Sequence, residues 1–207
     1  MPLTSPPRIT RAGIRRARAR FREGAAGDLF YRAAIQLIAT ARQGASDLDL
    51  AESIGVLLQT WNTQFYRFRG GYKEQDTAAI RRLLAKHRGA LDSIQDRRLD
   101  HLTADEERMV LMVFHDFEIA LGQVGAAKAL HLLAPRFFPL WDQRIAQFGY
   151  GIRFRGVGQN GSNYLLLMKA TLEQIRHLGG WDRFDGNPVK AIDEYNYCLH
   201  TRGWTSK

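Results

Sequence analysis

The chain has 207 residues, 45% of them hydrophobic and 25% charged, values that suit a globular domain with a proper core and exclude a disordered or low-complexity chain. The single Cys198 excludes an intramolecular disulfide and a cysteine-built metal site. The formal net charge is +9, and seven arginines within residues 1–22, with no acid among them, leave only +2 for the other 185 residues.

Residues 1–25 therefore read as a basic arm and 26–207 as a single domain. Arg11, Arg15 and Arg18 are the arm's candidates for backbone phosphates of DNA, because a guanidinium fork fits phosphate oxygens. A solvated tail gives the same composition, and so does a segment drawn to a membrane surface. The apolar side of "RITRAGIRRARARF" is thin for a membrane helix. No apolar run of membrane-spanning length and no secretory leader stand out, so a soluble cytoplasmic monomer is the expectation.

Beyond the arm the pattern is helical throughout, with no alternating strand and no repeat. "AGDLFYRAAIQLIATARQG" is an amphipathic helix stopping at Gly44. "SDLDLAESIGVLLQTWNTQFYRFRGG" opens on Ser46 or Asp47 as N-cap and stops at Gly70-Gly71. "EQDTAAIRRLLAKHRGALDSIQDRRL" reads as two shorter helices hinged near Gly89. In "TADEERMVLMVFHDFEIALG" Thr103 and Glu106 form a capping box ahead of a long apolar run, the central buried helix. A glycine-rich loop, "GYGIRFRGVGQNGSN", precedes two last helices, the second starting at Pro188. The fold class is all-α, a compact helical bundle.

The chemistry concentrates in "LGQVGAAKALHLLAPRFFPLWDQRIA". Gly122 and Gly125 flank a tight turn whose amides can hold a phosphate. Lys128 and His131 share a face of the helix that follows, and Asp142 stands where an N-cap belongs. Taken singly, Asp142 is a cap, Lys128 a solvated lysine and His131 a satisfied core histidine. Trp61, Asn62 and Gln64, with Phe65 and Tyr66, offer rings and hydrogen-bonding groups for a base, or plain core and solvent contacts. Trp141 is a stacking candidate. Arg153 and Arg155 stand near a phosphate or an enlarged base, or on a flexible loop. The histidines are scattered and give no metal-ligand spacing. No cofactor is expected.

The stretch "LGQVGAAKALHLL…FFPLWDQRIAQF" resembles the helix-hairpin-helix DNA glycosylases, over about 25 of the 207 residues. Their pattern is a glycine hairpin of the form L-P-G-V-G-x-K, an apolar helix, and a Pro-x-Asp or Val-Asp pair opening the next helix. The shorter link between lysine and aspartate points to a divergent branch, such as the archaeal 8-oxoguanine type. The resemblance implies two lobes with a helix-hairpin-helix element and a cleft between them. It implies Lys128 as nucleophile and Asp142 as the essential carboxylate, acting on double-stranded DNA with a flipped base. A carboxylate beside C1′ stabilises the cation-like sugar, and a neutral amine can attack C1′ to give a Schiff base. Two rivals predict otherwise. A non-catalytic helical DNA- or RNA-binding module binds through the arm and releases no base. A helical protein–protein adaptor uses the arm for an acidic partner.

Overall fold

The computed structural model describes residues 8–24, 26–46 and 48–203, without the side chains of residues 26–28 and 64. It is all-α, and among the described residues there is no strand. The helices are α1 (Arg11–Gly24), α2 (Ala26–Arg42), α3 (Leu50–Trp61), α4 (Thr63–Phe68), α5 (Glu74–Lys86), α6 (Arg88–Ile94), α7 (Ala104–Leu133), α8 (Gly161–His177) and α9 (Pro188–Asn196). Two π-helical turns, Ile145–Gly149 and Tyr197–Thr201, and a 3-10 turn, Trp181–Arg183, complete the chain.

Helix α7 is the centre, packed against α2, α3, α5 and α8. Thr103 and Glu106 cap its start reciprocally, as the sequence indicates. Its far end stops at Ala134, before Pro135, and Arg42 from α2 donates to the Leu133 carbonyl at 2.6 Å. Phe114, Phe117 and Leu121 are fully buried along it, each contributing about 1.5–3 kcal/mol. By length and composition α7 suffices to cross a membrane, which corrects the reading that no segment reaches that length. Half of its most apolar window is buried inside the protein, as befits the middle of a core.

The start of α3 also differs from expectation. Asp49, not Ser46, is the N-cap, in a box with Glu52, and Asp47 lies outside the described residues. The single helix expected from the Ser46 or Asp47 cap to Gly70-Gly71 breaks at Asn62 into α3 and α4. The hinge foreseen near Gly89 falls at His87.

The arm is built into the fold from Arg11 onward. Ile14 and Phe21, two turns apart, are buried and pack α1 against α9. Arg11 donates twice to the Leu178 carbonyl, at 2.6 and 2.9 Å, and Arg18 pairs with Glu194 at 3.0 Å. Most of the buried apolar residues form one cluster running from Ile9 to Ile192.

Candidate functional site

A cavity of about 670 Å³ opens between α1, the α3–α4 junction, the second half of α7, the turn at 140–145, and α9. Lys128 and Asp142 both line it, as do Trp61 and Asn62. Helix α7 sets this up by breaking at Gly122, where φ is +71° and ψ 169°. Beyond the break the helix runs to Leu133 and carries Lys128 to the cavity wall.

The Lys128 amine donates to the Trp61 carbonyl and lies 5.8 Å from the centre of the Trp61 ring. Burial pushes its pKa down to about 8, against the pull of the Asp142 and Asp193 carboxylates. Asp142 is half-buried and caps the following turn: its Oδ1 accepts from the Ile145 N–H at 2.8 Å. Its Oδ2 accepts from the Thr201 hydroxyl at 3.3 Å. The residue that caps the turn is therefore also a carboxylate of the cavity lining. The Trp61 ring stacks on Tyr31 with centroids 5.6 Å apart and planes 10° apart. Asn62 Nδ2 reaches the Leu121 carbonyl at 3.5 Å.

Other residues singled out in the sequence lie elsewhere. His131 is fully buried away from the cavity: Nδ1 donates to the Phe138 carbonyl at 2.7 Å, so Nε2 accepts from the Tyr31 hydroxyl at 3.0 Å. Burial depresses its pKa to about 3, and it is a neutral core histidine, not a group that meets a base. Trp141 borders the cavity but is 1% exposed. Its ring is wedged among Phe114, Phe154 and Tyr164, and its indole N–H donates to the Gln123 carbonyl. It has no open face for stacking. The Gln64 side chain lies outside the described residues.

The phosphate-cradling role read for Gly122 and Gly125 also meets a different geometry. Both are buried, and a Cβ would fall 2.8 Å from Phe65 at Gly122 and 2.9 Å from Asn62 at Gly125. They let α7 approach α3 and α4 closely. Arg153 and Arg155 are exposed on the 151–160 loop, outside the cavity lining. That loop is pinned rather than free: buried Glu118 accepts from Asn160 N and Nδ2, and Asn160 Oδ1 accepts from the Arg155 N–H. Arg18 is half-buried and paired with Glu194, Arg11 is exposed but tied to the Leu178 carbonyl, and Arg15 is exposed.

Sequence reasoning missed the cavity's α9 wall. Lys190 and Asp193 line it, with Tyr197 and Arg202 just beyond. Lys190 Nζ lies 3.4 Å from Asp193 and 3.5 Å from Glu194, over the rings of Phe21 and Tyr31. Burial raises the Asp193 pKa to about 6, with Lys190 opposing and Glu194 and Asp142 adding to the rise. The i, i+3, i+4 spacing of Lys190, Asp193 and Glu194 was the available signal. Arg144, also lining the cavity, is exposed beside it.

The arrangement supplies an amine with a depressed pKa, two carboxylates, a second, ion-paired lysine and a ring platform. Among the described residues no group of three or more His, Cys, Asp and Glu is placed to hold a metal ion. Comparison with models of protein families, with curated proteins and with solved structures finds no match to this chain.

Proposed function

We propose that this chain is a DNA glycosylase that takes a damaged or modified base, flipped out of the duplex, into the cavity. The observation that carries the reading is the Lys128 amine, its pKa lowered to about 8, in one cavity with Asp142. Lys128 attacks C1′ of the flipped nucleotide, and Asp142 stabilises positive charge on the sugar as the base departs. A cavity of about 670 Å³ falls within the size range of small-molecule sites. The resemblance of 121–146 to the helix-hairpin-helix glycosylases supports the same assignment of roles. Exposed Arg144 at the cavity, and Arg15, Arg16, Arg20 and Arg22 on α1, supply cations for the phosphates on either side.

The test uses duplex oligonucleotides, each carrying one oxidised, alkylated or hypermodified base. Abasic sites should form with at least one of them, and borohydride should trap a covalent adduct. Base release that survives Asp142→Asn refutes the role of Asp142. An adduct that persists in Lys128→Ala refutes the nucleophile. Base release with no adduct at all assigns the attack to water, with Asp142 as the essential group. The outward arginines of α1 also favour a second reading, a binding module without chemistry. It requires salt-sensitive binding of DNA or RNA and no base release from any substrate.

A further inference from the structure

We propose that Asp193 is a third catalytic residue of this cavity: it takes the proton from the Lys128 ammonium when a flipped base seals the site, and passes it to the departing base. This rests on the glycosylase reading above. An amine attacks only with its lone pair free, so an ammonium at that position needs a proton acceptor in the sealed cavity. Asp142 is poorly suited, because its Oδ1 is tied to the Ile145 N–H and its Oδ2 to the Thr201 hydroxyl. Glu194 is poorly suited as well, being held by Arg18 at 3.0 Å in addition to Lys190. Asp193 lines the cavity with its side chain 13% exposed, and its ion-pair contact to Lys190 is a long 3.4 Å.

The groups around Asp193 fix its behaviour. On its own helix are Lys190 and Glu194, and across the cavity are Lys128 of α7 and Asp142. Arg18 from α1 reaches it only through Glu194. Tyr150 and Cys198 feel its charge, and both remain neutral near pH 7, with pKa values pushed up to about 12 and about 11 by burial. Lys128 near 8 and Asp193 near 6 lie about two units apart in the open cavity. A base that displaces water penalises both charges, and a proton moving from amine to carboxylate removes both at once.

The step balances. One Nζ–H bond breaks, one carboxyl O–H bond forms, and the nitrogen lone pair is freed. That pair makes the Nζ–C1′ bond while the glycosidic C1′–N bond breaks and its electrons leave with the base. The base nitrogen then takes the proton from Asp193, which returns to a carboxylate. Nothing is oxidised or reduced.

Two measurements on the full chain test this. The first needs no DNA: label Lys128 with formaldehyde and cyanoborohydride across pH and read the modified peptide by mass spectrometry. Wild type should show a midpoint near 8. Asp193→Asn should move it to lower pH, because a carboxylate that favours the ammonium is gone, and Asp193→Glu should restore it. The second is base release from the duplex panel between pH 5 and 9. Wild type should give a bell between about 6 and 8. Asp193→Asn should lose about 100-fold or more at neutral pH and lose the alkaline fall, leaving a single rising limb. Asp193→Glu should regain the bell. A Lys128 midpoint unmoved in Asp193→Asn, or a wild-type bell retained there, overturns the role of Asp193. A wild type that releases no base overturns the glycosylase reading, and this result is separable from the labelling result.

Discussion

Gly122 sets the position of Lys128 from six residues away. Its φ of +71° with ψ of 169° falls in a region that only glycine occupies readily. A Cβ there would also lie 2.8 Å from the Phe65 ring. Gly122→Ala should therefore destabilise the fold by about 1–3 kcal/mol, read as a lower urea midpoint. It should also displace the segment carrying Lys128, so any base release should fall more than stability alone explains. A variant as stable as wild type would show that the break in α7 is tolerant. The sequence marks this glycine as a turn but not the reason for it. The reason is Phe65, 57 positions earlier, pressed against the kink.

Single residues also show where reading by position stops. Lys128 and His131 lie three apart, which on a helix leaves about 60° between them. That angle is enough to point Lys128 into a cavity and His131 into the core toward Phe138. Trp141 and Asp142 are adjacent, yet the tryptophan goes inward and the aspartate caps a turn. Asp142 was legible because capping leaves a local signature.

At the scale of elements, local signals served well. The box at Thr103 and Glu106 and the N-terminal proline of α9 both fall where the sequence places them. The α9 wall was only partly legible: the spacing of Lys190, Asp193 and Glu194 marks one charged helix face, but that this face lines the cavity follows from the packing of α9 against α1 and α8. The same packing gives α1 two faces. Arg18→Ala leaves Glu194, whose side chain is 10% exposed, with only the longer 3.5 Å contact to Lys190, and should cost about 1–3 kcal/mol of stability. Replacing exposed Arg15, Arg16, Arg20 and Arg22 by Gln should leave the unfolding midpoint nearly unchanged. If the proposed DNA binding holds, it should weaken binding to duplex DNA and flatten its salt dependence by about 0.9 in log–log slope per lost phosphate contact. Equal effects of both changes on stability would show that α1 has no such division.

For the whole molecule, acid stability turns on two buried groups with opposite signs. His131 stays neutral in the fold down to about pH 3, whereas an unfolded histidine takes a proton near 6.5. The unfolded chain thus binds more protons as pH falls below 6.5, and stability drops. Half-buried His200 is depressed in the same direction by burial. Asp193 works the other way: its proton is held up to about pH 6, so the fold gains on acidification through that value. The carboxylates held low, Asp49, Asp100, Glu106 and Asp116, lose their contribution as pH falls from the ordinary acid range downward and change little between pH 7 and pH 5. Between pH 6.5 and 5 the His131 linkage alone costs about 2 kcal/mol, and Asp193 offsets about 1 kcal/mol of it. Urea midpoints measured at pH 7 and pH 5 should fall for wild type. His131→Gln should start lower, because the hydrogen bonds to Tyr31 and Phe138 are lost, and should then hold or rise slightly from pH 7 to pH 5, since the Asp193 gain is opposed by His200 alone. Asp193→Asn should show a steeper fall than wild type, since the opposing term is gone. An identical pH dependence in wild type and His131→Gln would place the acid sensitivity elsewhere in the molecule.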